Sequence, residues 1–234
     1  MDAYSGNSLN AVRSMKEQYG IRSKKIWLLY NGVDFNLLKP ERNRTEVLED
    51  LDLDDGHFLI GTAARLVDWK RIDLLIRAFS KVEFKSKKLI IFGDGVESRS
   101  LKILVCSLGI ENQVVFAGEM RHMPDCYQIL DCFVLPSSDR ESFGNAVVEA
   151  MYMKIPTIIM EDSGGLREHV KAGETGWIAA GEEDLVQTIE YIHDNPGQSE
   201  RIVAQGSRYV QEKYSTQKMV ETYSEFYREI ASGA

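Results

Sequence analysis

The sequence predicts an α/β fold, a parallel sheet with helices on both faces, on three observations. From His57 onward, strand-like apolar runs alternate with segments of helical periodicity, the order expected of parallel strands joined by crossover helices. The run Cys132-Phe133-Val134-Leu135 has a buried-strand pattern, stops at Pro136 and restarts as a helix, which leaves a crevice. Charged residues and glycines fall just after the strands, where open α/β sheets bind ligands.

Composition narrows the function. The 234 residues are enough for one large or two small domains, and 44% apolar content suits a packed soluble core. No run approaches the roughly 18 apolar residues of a membrane span, and Met1 to Asn10 lacks the charged start and apolar middle of a signal peptide. A cytoplasmic protein is expected. Cys106, Cys126 and Cys132 are odd in number and show no C-x-x-C spacing, which fits reduced core thiols better than disulfides or zinc. His57, His122, His169 and His193 are scattered and read as structural or surface residues. A formal net charge of −8 argues against a nucleic-acid partner and against general attraction to anionic membranes, while leaving room for a local basic patch.

In chain order, Ser8 to Tyr19 places Leu9, Val12, Met15 and Tyr19 on one helical face, which needs a partner. Lys25 to Tyr30 reads as a strand running into an Asn31-Gly32 turn, and Asn36 to Gly56 as an irregular, polar surface excursion. Strands are expected at Phe58–Ala63, Lys88–Phe92, Gln113–Ala117, Asp131–Leu135 and Pro156–Met160. Between them fall helices at Trp69–Val82, Glu97–Leu108, Pro124–Leu130 and Phe143–Met153, with Ile72, Leu75, Ile76 and Phe79 on one face of the first. A short helix is expected at Leu166–Lys171, before Gly173-Glu174-Thr175-Gly176 turns into Trp177–Ala179. Helices near Glu182–His193, Gly197–Tyr214 and Thr216–Ile230 finish the chain.

The most informative stretch runs from Ser138 to Met151. If a helix begins near Ser142, the unpaired N–H groups of about Ser142, Phe143, Gly144 and Asn145 make an anion site in the crevice. Two helical turns, roughly 10 Å, place Glu149 on the same face, a span that suits the phosphates and ribose of a nucleotide. Glu141, just before the helix, would repel phosphates unless cations stand nearby and it turns toward something else, such as a sugar hydroxyl. Arg65, after the first strand, and Lys70, at the next helix, can converge on that crevice as a diphosphate clamp. Taken singly, Glu141 reads sooner as a helix N-terminal carboxylate, Glu149 as a solvated helix residue, and Arg65 and Lys70 as surface cations. Gly93-Asp94-Gly95 begins like a dinucleotide fingerprint, but Ser98 replaces its third glycine. Glu119 stands where a ribose acid is not excluded, yet that reading leaves Glu141 and Glu149 unexplained.

Glu141 and Glu149, with Phe-Gly-Asn between them, resemble the Glu-x7-Glu motif of retaining GT-B glycosyltransferases of the GT4-like group, the glycosyl transferases group 1. The resemblance extends over nearly the whole chain through Asn31-Gly32-Val33-Asp34, Arg65 and Lys70, Gly93-x-Gly95, and Gly164-Gly165-x-x-Glu168. It implies the Rossmann-like C-terminal, donor-binding half of a GT-B fold. Residues 1–33 would be the tail of a missing N-terminal domain and the connection from it. Residues 34–215 would bind the nucleotide sugar, and 216–234 would form a helix crossing back. The implied reaction moves a sugar from a nucleotide diphosphate to an acceptor sugar or lipid-linked sugar with retention, in polysaccharide or glycolipid synthesis, with no cofactor and no metal. Peripheral contact of the full-length enzyme with a membrane stays open.

By the resemblance, Arg65 and Lys70 bind the diphosphate and stabilise the leaving nucleotide, Glu141 faces the sugar, Glu149 holds the ribose, Gly93 and Gly95 line the donor site, and the Glu119-Met120 loop contacts the base. The sequence departs from the family pattern at Ala64, Arg71 and Lys154, each standing where a glycine is usual. Two other readings remain open: a non-catalytic sugar-nucleotide-binding subunit, and a sugar-nucleotide epimerase of the same fold.

Overall fold

The computed structural model describes residues 3–18, 20–21 and 26–232. Tyr19 and Lys25, included in the expected first helix and strand, lie outside the described residues.

The chain opens with β1 (Tyr4–Gly6), α1 (Leu9–Glu17) and β2 (Ile26–Leu28), where β1 and β2 pair in parallel as a small sheet of their own. The Ser8 hydroxyl caps α1 by accepting from Ala11 N at 2.9 Å. A single turn at Phe35–Leu37 leads to α2 (Arg44–Asp50), a helix that replaces the expected irregular excursion. Asn43 and Glu46 form a reciprocal capping box, and Val47 and Leu48 are buried. Asn31-Gly32 is not a turn: a Cβ on Gly32 would meet Met219 and the Thr216 backbone, so the glycine permits close approach of the last helix.

The main sheet contains β3 (Phe58–Ala63), β4 (Lys87–Phe92), β5 (Val114–Gly118), β6 (Cys132–Leu135), β7 (Thr157–Met160) and β8 (Trp177–Ala179), close to the expected spans. Every pairing is parallel, in the order β5-β4-β3-β6-β7-β8. The chain winds outward in both directions from β3 and β6, so these neighbours form the topological switch point, where α/β sheets bind ligands beyond their carboxyl ends.

Successive side chains alternate between two cores. Leu59, Ile90, Phe133, Leu135 and Ile159 face one, covered by α2, α5 (Met123–Tyr127), α6 (Asn145–Tyr152) and α8 (Pro196–Tyr214). Ile60, Leu89, Ile91, Val134 and Ile158 face the other, covered by α3 (Ile72–Lys81), α4 (Ser98–Ser107) and α7 (Glu182–Asp194). The final α9 (Thr216–Ala231) buries Phe226, whose ring meets Trp27 edge-on with centroids 5.6 Å apart. Cys126 and Cys132 are buried, but Cys106 is exposed on α4, contrary to the expectation of three core thiols.

Candidate functional site

Two left-handed residues set the geometry at the switch point. Gly144, at φ 75°, precedes α6, so the helix begins at Asn145 rather than near Ser142. The Phe143 side chain is 2% exposed and packs among Tyr30, His169 and Tyr214, away from the crevice. Arg71, at φ 50°, separates the single turn Asp68–Lys70 from α3, so Lys70 precedes the helix instead of opening it. Its guanidinium donates to Pro136 O and Ser137 O, both at 2.8 Å, and grips Asp162 through both carboxylate oxygens. These bonds offset the strain of a side chain where the family usually has glycine, and they hold the Asp162 carboxyl below its ordinary range.

The expected site residues separate into two groups. Arg65, Gly93, Glu119, Met120, Asn145 and Glu149 line one cavity of about 450 Å³, together with Ala64, Met123 and Tyr127. Arg65, Glu119 and Asn145 are exposed there. Glu149 is half-buried, and Tyr127 Oη donates to its Oε2 at 2.9 Å. Burial raises the Glu149 carboxyl above its ordinary range, and the Tyr127 hydrogen bond partly opposes that rise.

Lys70 and Glu141 form the second group. The Lys70 ammonium pairs with Glu141 Oε2, which also accepts from Ser137 Oγ at 3.0 Å. Both side chains are nearly buried, at 12% and 9% exposure. The Glu141–Ser142 backbone is fixed by the single turn Gly164–Glu168, which stands where Leu166–Lys171 was expected to be helical. Gly165 N donates to Glu141 O at 2.9 Å, and a Cβ on Gly165 would fall on the Ser142 carbonyl. Ser142 Oγ is bonded to Asn7 Oδ1 of the N-terminal segment. Gly95 does not line the cavity with Gly93; its Cα packs on the Leu66 backbone.

His169 supports this second group from within the core. Its Nε2 donates to Phe143 O at 2.5 Å, and its Nδ1 accepts from the Tyr214 hydroxyl at 2.7 Å. Full burial depresses the imidazole to about 3 and keeps the ring neutral. Glu168 turns toward the N-terminal segment, accepting from Tyr30 Oη at 2.7 Å and Asn10 N at 3.3 Å. Among the described residues, no three His, Cys, Asp or Glu side chains gather as a metal site, and no helix is long and apolar enough to cross a membrane.

The pattern of the family described as glycosyl transferases group 1 matches residues 43–209. The chain belongs to this family. It is 29% identical over 243 residues to a D-inositol 3-phosphate glycosyltransferase of Rhodococcus erythropolis, covering 98% of this chain and 54% of that protein. The chain spans about half the length of the curated relatives it matches. The crystal structure of a Rickettsia africae glycosyltransferase superposes with a TM-score of 0.89 at 23% identity, over 100% of this chain and 64% of that one. Anabaena HepE in complex with UDP and glucose superposes with a TM-score of 0.87 at 24% identity, over 98% of this chain and 63% of that one. These likenesses establish the fold as that of the C-terminal Rossmann-like domain of GT-B glycosyltransferases.

Sequence reasoning missed Tyr127, while the reading of His169 as a structural or surface residue is met by its burial in the core. Tyr127 carried no signal, because its partner Glu149 lies on another helix. His169 was visible one residue beyond Gly164-Gly165-x-x-Glu168, but only the fold shows that it reaches the Phe143 carbonyl.

Proposed function

We propose that this chain is the donor-binding part of a retaining glycosyltransferase of the GT4-like group, acting in polysaccharide or glycolipid synthesis in the cytoplasm. In this reading residues 1–33 continue from an N-terminal domain, residues 34–215 hold the nucleotide sugar, and residues 216–234 return toward that domain. The observation that carries the reading is the cavity at the β3–β6 switch point, where a cation, a helix start and a half-buried carboxylate line one wall-to-wall space.

Each group has a task. Arg65 and the first N–H groups of α6 take the diphosphate, and Lys70 reaches it from the Glu141 side. Glu149 accepts the ribose hydroxyls, while the Glu119-Met120 loop meets the base. Glu141, fixed by Lys70 and Ser137, faces the transferred sugar. The reaction breaks the bond between the anomeric carbon and the diphosphate and joins that carbon to an acceptor oxygen on the same face. A nucleoside diphosphate and a proton are released. Cations and helix N–H groups neutralise the leaving group in this scheme without a dedicated metal ion. That Anabaena HepE, which shares this fold, forms a complex with UDP and glucose supports reading this domain as one that binds a nucleotide sugar.

The test is an assay of the purified chain with a panel of sugar nucleotides and acceptors, with and without the N-terminal domain of a full-length relative supplied in trans or fused. Orientation of donor against acceptor contributes up to about 7–11 kcal/mol to catalysis, so transfer is expected to be very weak until a second domain completes the cleft. Robust acceptor-dependent transfer by this chain alone would contradict the half-enzyme reading. Product formed without acceptor would favour the epimerase.

A further inference from the structure

We infer that Tyr127 is a positioning residue for nucleotide recognition, its hydroxyl holding the Glu149 carboxylate in the orientation that receives the two ribose hydroxyls. The inference rests on the reading of Glu149 as the ribose-binding residue. Tyr127 lines the cavity yet is only 1% exposed, so it offers a ligand little surface of its own and acts through what it touches. Its ring meets Phe133 edge-on with centroids 5.8 Å apart, and its hydroxyl donates to Glu149 Oε2 at 2.9 Å. Among the described residues it is the one hydrogen-bond partner of the Glu149 side chain.

A vicinal diol presents two O–H donors, and a carboxylate matches them with two acceptor oxygens only if its plane is fixed. The Tyr127 bond uses one lone pair of Oε2 and leaves both oxygens able to accept. It also favours the ionised carboxylate against the burial that disfavours it.

Tyr127 is anchored in turn from the far side. Asp125, on the same short helix, accepts from Glu41 N at 2.7 Å and Arg42 N at 3.1 Å. Gln128 exchanges bonds with the same segment, donating to Arg42 O at 2.8 Å and accepting at its carbonyl from Arg44 Nη1 at 3.2 Å. The approach to α2 thereby holds α5, α5 holds Tyr127, and Tyr127 holds Glu149.

The experiment is calorimetric titration of UDP, GDP and ADP, each beside its 2′,3′-dideoxy form, into the whole chain and into Tyr127→Phe, Glu149→Ala and the double variant. The wild type is expected to prefer the ribose form of the nucleotide it binds by about tenfold or more, and Glu149→Ala to abolish that preference. Tyr127→Phe is expected to weaken the ribose form about three- to tenfold and to leave the dideoxy form unchanged, which also shows that the variant is folded. In the Glu149→Ala background it should add nothing. Equal weakening of both forms by Tyr127→Phe, or no weakening of either, would overturn the inference while sparing the ribose reading. A Glu149→Ala variant that keeps the preference, or a chain that binds none of the three nucleotides, would sink the ribose reading and the inference with it.

Discussion

On one side of the β3–β6 switch point lies an open cavity whose charged residues are free to meet a ligand; on the other, Lys70 and Glu141 have already met each other. Arg65 and Asn145 are exposed, and Glu149 is held by a single hydroxyl. Glu141 is boxed in by Lys70, Ser137 and the Gly164–Glu168 turn, and that turn is backed by His169 and Tyr214. In the proposed reading, the open side takes in and releases a nucleotide. The closed side holds the Glu141 carboxylate still through Lys70 and Ser137, as the proposed role of a group aimed at a reacting sugar requires.

The largest effect should come from breaking the closed side. Glu141→Ala leaves the Lys70 ammonium nearly buried without its partner, and urea unfolding is expected to show a loss of about 3 kcal/mol. Nucleoside diphosphate affinity should be unchanged. Pairing Lys70→Met with Glu141→Leu should recover most of the stability and still fail to support transfer in the completed enzyme. A Glu141→Ala protein as stable as the parent would mean that the pair is only a surface contact.

A somewhat smaller effect is expected from acid. His169 is held neutral in the folded state, with its imidazole depressed to about 3 from 6.5, whereas the unfolded chain takes up the proton near 6.5. The unfolded state therefore binds more protons between those values, and stability falls as pH falls. From pH 7 to pH 5 the contribution is about 2 kcal/mol. Denaturant unfolding at both pH values should show His169→Asn losing less stability on acidification than the parent, by about that amount. Identical losses would show that the imidazole is not held neutral by the core.

The smallest effect concerns the end of the helix that carries Glu149. Lys154, which stands where the family usually has glycine, follows α6 at φ 61°, a left-handed position. Lys154→Gly should stabilise the chain by about 1 kcal/mol at most and leave nucleotide binding alone. A thermal melt that falls instead would mean that the Lys154 side chain contributes more than its backbone costs.

The comparison also explains what could be read from the sequence. The strands from β3 to β7 were legible because each is an apolar run bounded by polar or turn residues, and all fell within a residue or two of the structure. The ends of α3 and α6 were not, because Arg71 and Gly144 break the backbone by turning left-handed, and for Arg71 the one sign of it was the glycine usual at that place in the resembled family. The helix α2 was overlooked although Asn43 and Glu46 have capping-box spacing, since the surrounding charge concealed the two buried positions Val47 and Leu48. Arg65 and Glu149 were named as candidates from their places after a strand and on a helix face, together with the family resemblance. That Lys70 bonds Glu141 across 71 residues, and Tyr127 bonds Glu149 across 22, depends on how the elements pack.

The central claim is that a nucleoside diphosphate occupies the open side, with Lys70 alone reaching it from the closed side, and leaves Glu141 to the sugar. Calorimetric titration of UDP, GDP and ADP into the parent, Arg65→Ala and Glu141→Ala tests it most directly. A charge-assisted hydrogen bond contributes about 1.5–3 kcal/mol, so Arg65→Ala should weaken the bound nucleotide by about tenfold or more, while Glu141→Ala leaves it unchanged. Unchanged affinity in Arg65→Ala, or an equal loss in Glu141→Ala, would contradict the division of the site into two sides.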